Sequence, residues 1–121
     1  MYSVQLLDHF EHPRNAGTIA GADADVRLEN PACGDVLRLT LKLCDGRIAE
    51  IGFLAKGCVA SMACASALTE MVRGRTVKEA RAVGREDLIR AVGGLPPAST
   101  HASHLALDAL ASALERLAGK T

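Results

Sequence analysis

Aromatic side chains are almost missing: the 121 residues include two phenylalanines, one tyrosine and no tryptophan. So few rings leave little on which to stack bases. Charge of one sign is missing too, because 14 basic and 14 acidic residues cancel. Without a basic stripe or stacking groove, nucleic acid is not an expected partner. No apolar run approaches the roughly 20 residues of a bilayer span. The amino-terminal stretch MYSVQLLDHFEHPRN carries Asp8 and Glu11 where a secretion signal would be basic and then apolar. The expectation is a cytoplasmic protein with no membrane partner. In that reducing compartment Cys33, Cys44, Cys58 and Cys64 read as thiols or metal ligands rather than disulfides. No internal repeat or linker is visible, so residues 1–121 are expected to form one domain, burying about two-thirds of the unfolded surface.

What is present is clear patterning. Residues 3 to 11 read as a short helix stopped by Pro13, since the residue before a proline is pushed out of the helical region. The stretch RNAGTIAGADAD carries little signal. From Val36 to Cys44 the pattern alternates strictly, with Leu37, Leu39, Leu41 and Leu43 on one face and Arg38, Thr40 and Lys42 on the other. Asp45-Gly46 is a hairpin turn signal, RIAEIGFLA reads as the returning strand, and DVRLE before Asn30 as a third. After Gly57 the spacing becomes helical, with Cys64, Leu68, Met71 and Val72 on one side of a helix rich in Ala and Ser, ended by Gly74. Thr76 and Glu79 form a capping box opening a further short helix, REDLIRAV a third, and residues 100 to 117 the last. A helix, then strands, then helices predict an α+β fold: a small antiparallel three-stranded sheet with helices packed on one face.

Three stretches carry candidate chemistry. In PASTHASHLA, His101 and His104 lie opposite the apolar stripe Leu107, Leu110, Leu114 and Leu117, so neither belongs to the core. In NPACGD, Cys33 and Asp35 stand two apart in a turn shaped by Pro31 and Gly34, and both side chains could face one ion. In KGC, Cys58 sits at the mouth of a helix, where free N–H groups and the helix dipole favour a sulfur anion. Such a cysteine is prepared as a metal ligand or a nucleophile.

Taken in order, NPACGDV, KGCVASMACASALTEMVRG and LPPASTHAS, with DHFEHPRNAG near the amino terminus, resemble the NifU/IscU-type iron-sulfur cluster assembly scaffolds. The resemblance covers nearly the whole chain. It implies an α+β scaffold, not an enzyme, on which a [2Fe-2S] cluster is built from sulfur delivered by a cysteine desulfurase and handed to apo-proteins. It also implies the site residues Cys33, Asp35, Cys58 and His101, expected to meet at an exposed rim at one end of the sheet. The chain departs from the pattern after His101, where family members usually carry a cysteine and this sequence has Ala102. A methyl group neither accepts persulfide sulfur nor binds metal. The Leu95-Pro96-Pro97 motif resembles the family's Hsp70-type chaperone recognition site but continues as Ala98-Ser99 where a lysine is usual. There is no room between Cys58 and His101 for the longer insertion of the zinc-binding, sulfur-delivering subtype, so the chain stands nearer the NifU and IscU branch.

The four donors suit either Zn(II), as a tetrahedral set, or a [2Fe-2S] unit with two protein ligands on each iron. His104, one turn after His101, is a candidate substitute donor at the rim. Cys44 and Cys64 read as structural, and His9 and His12 as surface residues. Two alternatives stay open: a scaffold homologue that binds only zinc or acts by docking partners, and a thiol enzyme in which Cys58 attacks, His101 is the base and Asp35 orients it.

Overall fold

The computed structural model describes residues 2–31 and 34–118. Helix α1 (Val4–Glu11) comes first, followed by strands β1 (Ala24–Asn30), β2 (Asp35–Cys44) and β3 (Arg47–Lys56). Helices α2 (Val59–Val72), α3 (Val77–Arg81) and α4 (Arg85–Ala91), a 3-10 turn (Pro97–Ser99) and α5 (His101–Ala118) complete the chain. The sheet is antiparallel in the order β1-β2-β3. This is the α+β architecture expected from the pattern, with each predicted strand and helix found within a residue or two.

Alternation in β2 sets the register. Val26, Leu39 and Phe53 stand side by side across the three strands, as do Ala24, Leu41 and Ile51. All six are buried, forming the sheet face on which α2 and α5 pack. Asp45 and Gly46 both take positive φ in the β2–β3 turn, the twist that a two-residue hairpin requires. A bulge between Lys42 and Leu43 then breaks the pairing near this end.

Helix α2 differs from the one-sided helix expected. Ala60, Ser61, Ala63 to Thr69 and Val72 are all buried, so it is enclosed nearly all round by α1, α4, α5 and β3. Its run of Ala and Ser makes that possible, because small side chains let neighbours approach from several sides at once. Helix α1 docks on it through Leu6 and His9, and full burial of Leu6 alone contributes about 1.5–3 kcal/mol.

His9 is therefore not a surface residue, as the sequence suggested. It is 6% exposed, and its Nδ1 lies 2.8 Å from the Ser66 hydroxyl of α2. Removal from water costs the imidazolium more than the neutral ring, and holds the His9 pKa below its ordinary value. Arg14 adds to this lowering, whereas Glu70 and Asp8 oppose it. His12 is exposed, as expected.

The stretch that carried little sequence signal pairs with the outer edge of β3 and then crosses the far face of the sheet. Phe53 N–H donates to the Asn15 carbonyl (3.0 Å), Gly17 N–H to the Phe53 carbonyl (2.8 Å), and Ile19 N–H to Thr40 Oγ1 (3.0 Å). Thr40 is 2% exposed as a result, although it alternates with the core leucines. A Cβ on Gly52 would stand 2.5 Å from the Gly17 carbonyl oxygen, so only glycine lets the segment cross there.

Candidate metal centre

Antiparallel pairing brings the start of β2 beside the end of β3, with Val36 opposite Lys56. Asp35, one residue earlier, thus lies beside the Gly57-Cys58 link into α2. Gly57 has φ +144°, and a Cβ there would stand 2.0 Å from Asp35 Oδ1. Its bare backbone lets the carboxylate lie against the chain, where Oδ1 accepts the Cys58 N–H at 3.1 Å. Cys58 is the N-cap of α2, its Sγ accepting the Ser61 N–H at 3.4 Å. Thr100 and Ser103 brace the start of α5: Thr100 Oγ1 donates to the Pro97 carbonyl (3.1 Å), and Ser103 Oγ to the Thr100 carbonyl (2.8 Å). This fixes His101 at the first position of the helix.

These three segments meet. His101 Nε2 is 3.3 Å from Asp35 Oδ2 and 3.8 Å from Cys58 Sγ, and the sulfur is 3.6 Å from the same carboxylate oxygen. Bond lengths of about 2.0–2.3 Å set the donors of a tetrahedral ion about 3.3–3.8 Å apart. Among the described residues, Asp35, Cys58 and His101 form the one group of three or more such side chains with donor atoms all within 4.8 Å of one another. Cys33 lies outside the described residues.

The expected exposed rim is only partly found. The His101 side chain is 32% exposed and Cys58 half-buried, but the Asp35 side chain is 2% exposed, beneath them. It is buried because both of its oxygens are occupied, Oδ1 by the Cys58 amide and Oδ2 by the Ser61 hydroxyl at 2.5 Å. Sequence reading passed over Ser61. Its signal was position, three residues after a helix-capping cysteine. Outside the donor triad, His104 is exposed and lines a depression of about 260 Å³ with His101, Glu29, Asn30, Pro31, Leu105 and Asp108. Cys44 is exposed and Cys64 fully buried, with its thiol pushed up to about 12, mainly by burial and secondarily by nearby Cys58.

The geometry does not fit a thiol enzyme of the triad kind. Asp35 and Cys58 both approach Nε2 of His101, whereas an orienting carboxylate and a nucleophile need opposite ring nitrogens. What the fold and site define is a small α+β protein offering nitrogen, oxygen and sulfur donors of mixed softness to one ion, close to its surface. The family model described as the NifU-like N terminal domain matches residues 1–121, and the chain belongs to that family. It is 44% identical over 114 residues to "Iron-sulfur cluster assembly scaffold protein IscU 1" of Archaeoglobus fulgidus, covering 94% of this chain and 74% of the relative. Against the scaffold protein IscU of Escherichia coli K12, identity is 38% over 117 residues, covering 93% and 91%. Two solved structures share the fold. One is a NifU-like protein (N-terminal) from Brucella abortus, with TM-score 0.81, 21% identity and coverage of 98% and 95%. The other is a SufU protein from Fervidobacterium islandicum AW-1, with TM-score 0.80, 22% identity and coverage of 93% and 96%.

Proposed function

We propose that this chain is an iron-sulfur cluster assembly scaffold, acting as one unit over residues 1–121. Cys33, Asp35, Cys58 and His101 hold iron or a [2Fe-2S] cluster as cargo for transfer to apo-proteins. The observation that carries this reading is the meeting of Asp35 Oδ2, Cys58 Sγ and His101 Nε2 at tetrahedral spacing. Membership of a family whose similar members are named as scaffolds supports it further. Each donor has a part suited to cargo. Cys58 supplies a soft sulfur on a helix cap. Asp35 supplies a hard oxygen, held in place by the Cys58 amide on Oδ1 and the Ser61 hydroxyl on Oδ2. His101 stands half-exposed, where an acceptor protein's ligand can replace it.

The role is that of a carrier without turnover of its own. Sulfur comes from a cysteine desulfurase and lands on Cys33 or Cys58, with Cys58 favoured by its place at the helix mouth, since Ala102 has no thiol and is 1% exposed. Recognition by an Hsp70-type chaperone falls on Leu95-Pro96-Pro97, at the entry to the 3-10 turn. The setting is the cytoplasm; no helix among the described residues is long and apolar enough to cross a membrane. A zinc-only scaffold is the second reading, favoured by the same donor spacing. Incubating the reconstituted protein with an apo-ferredoxin separates the two. The scaffold reading expects the acceptor's visible absorption to rise as the donor's falls. A protein that keeps its metal, or carries zinc without sulfide, contradicts it.

A further inference from the structure

We infer that Ser61 is a positioning residue of this centre, acting on the bound metal through Asp35. The inference rests on the reading of Asp35, Cys58 and His101 as metal donors, and adds a side chain to which no donor role has been assigned. Ser61 is the third residue of α2 and 6% exposed. Its hydroxyl oxygen lies 2.5 Å from Asp35 Oδ2 and 3.3 Å from Cys58 Sγ, and its backbone N–H donates to the same sulfur. Serine is not there for the helix, which alanine would favour by roughly half a kcal/mol. Nor is it there to fill space, because a buried hydroxyl is tolerated only where it finds a partner.

The hydrogen-bond inventory decides the direction. A serine hydroxyl has one proton to give, and an ionised carboxylate only accepts. The Ser61 proton goes to Oδ2, 2.5 Å away, while Oδ1 takes the Cys58 N–H. The Cys58 amide on Oδ1 and the Ser61 hydroxyl on Oδ2 pin the carboxylate plane at two points. Oδ2 faces Cys58 Sγ and His101 Nε2, 3.6 and 3.3 Å away. Rotation that offered both oxygens to a metal would break one of these bonds. Water cannot readily substitute, since the Asp35 side chain is only 2% exposed. Ser61 therefore commits Asp35 to binding through one oxygen in a fixed direction. Outer partners of metal ligands typically contribute a factor of about 10–100 in affinity.

Cobalt(II) is the probe, because its thiolate charge-transfer and ligand-field absorption report the sulfur ligand and the coordination geometry. The parent is titrated first. Ser61→Ala should then raise the cobalt dissociation constant about 10-fold and shift the ligand-field bands, while Ser61→Thr, which keeps the hydroxyl, retains most of the affinity. In an Asp35→Ala background, Ser61→Ala should change affinity less than about 2-fold, as expected of residues acting as one unit. An Ala variant within about 2-fold of the parent overturns the inference. So does an equal loss with and without Asp35, or a Thr variant no better than Ala. A parent lacking any thiolate–cobalt absorption overturns the donor reading itself, and the role of Ser61 with it.

Discussion

Replacing Gly57 with alanine strikes the candidate centre without touching a donor side chain. The new Cβ would stand 2.0 Å from Asp35 Oδ1, so backbone or carboxylate must move by at least about 1 Å to reach the 3.0 Å below which real contacts are not found. Two costs follow. A left-handed conformation costs an L-residue roughly 1–2 kcal/mol. Loss of the Cys58 N–H bond to a buried carboxylate costs about 1.5–3 kcal/mol. Gly57→Ala should therefore lower apo stability by about 2.5–5 kcal/mol, a large share of a small domain's total. Gly74→Ala is the matched control: its φ is +84° but nothing lies within 4 Å of an added Cβ, so it should lose only the backbone contribution of roughly 1–2 kcal/mol. Urea denaturation of the three proteins reads the difference, and cobalt(II) titration reads the site. The reasoning is refuted if Gly57→Ala costs no more than Gly74→Ala and binds cobalt like the parent.

Other consequences can be read in the same samples. On the proposed donor role of His101, bound metal stabilises the native state, so His101→Ala should abolish most of the zinc-induced rise in melting temperature, while His104→Ala, outside the donor triad, should keep it. Buried His9 has a folded pKa below its unfolded value near 6.5. Its contribution is thus complete above about pH 6.5 and is lost as pH falls through the folded pKa. Urea midpoints measured from pH 7.5 to 5 should fall more steeply in the parent than in His9→Gln, and parallel curves would contradict this. With the Cys64 thiol raised from 9.0 to about 12, its thiolate is scarcer by roughly three orders of magnitude. Iodoacetamide followed by mass spectrometry should label exposed Cys44 and half-buried Cys58 long before Cys64, and early labelling of Cys64 would contradict its burial.

The elements were legible because each followed a local rule. Leu37 to Leu43 alternate, Asp45-Gly46 fits a two-residue turn, and Thr76 with Glu79 closes its box through bonds of 3.1 and 2.9 Å. What escaped depends on the tertiary partner. Thr40 is polar by alternation and buried by the crossing of residues 15 to 19. His9 looks like a surface residue beside Asp8 and Glu11, yet it stands one turn after Leu6 and so shares its buried face. Cys64 marked one side of α2, but small residues leave a helix no evident outer face, and the sequence could not show that α2 is wrapped. At the centre, Asp35, Cys58 and His101 stood out by residue type and flanking motif. Ser61 did not, because its role depends on strand register bringing Asp35 to the mouth of α2.

The most direct test of the central claim is anaerobic reconstitution of the parent with ferrous iron and sulfide, followed by iron and acid-labile sulfide analysis and visible spectroscopy. The account predicts iron and sulfide bound in equal amounts, with the sulfide-to-iron absorption of a [2Fe-2S] cluster that Cys58→Ala loses. A parent that retains no sulfide, or a Cys58→Ala variant that assembles the same cluster in the same yield, would contradict it.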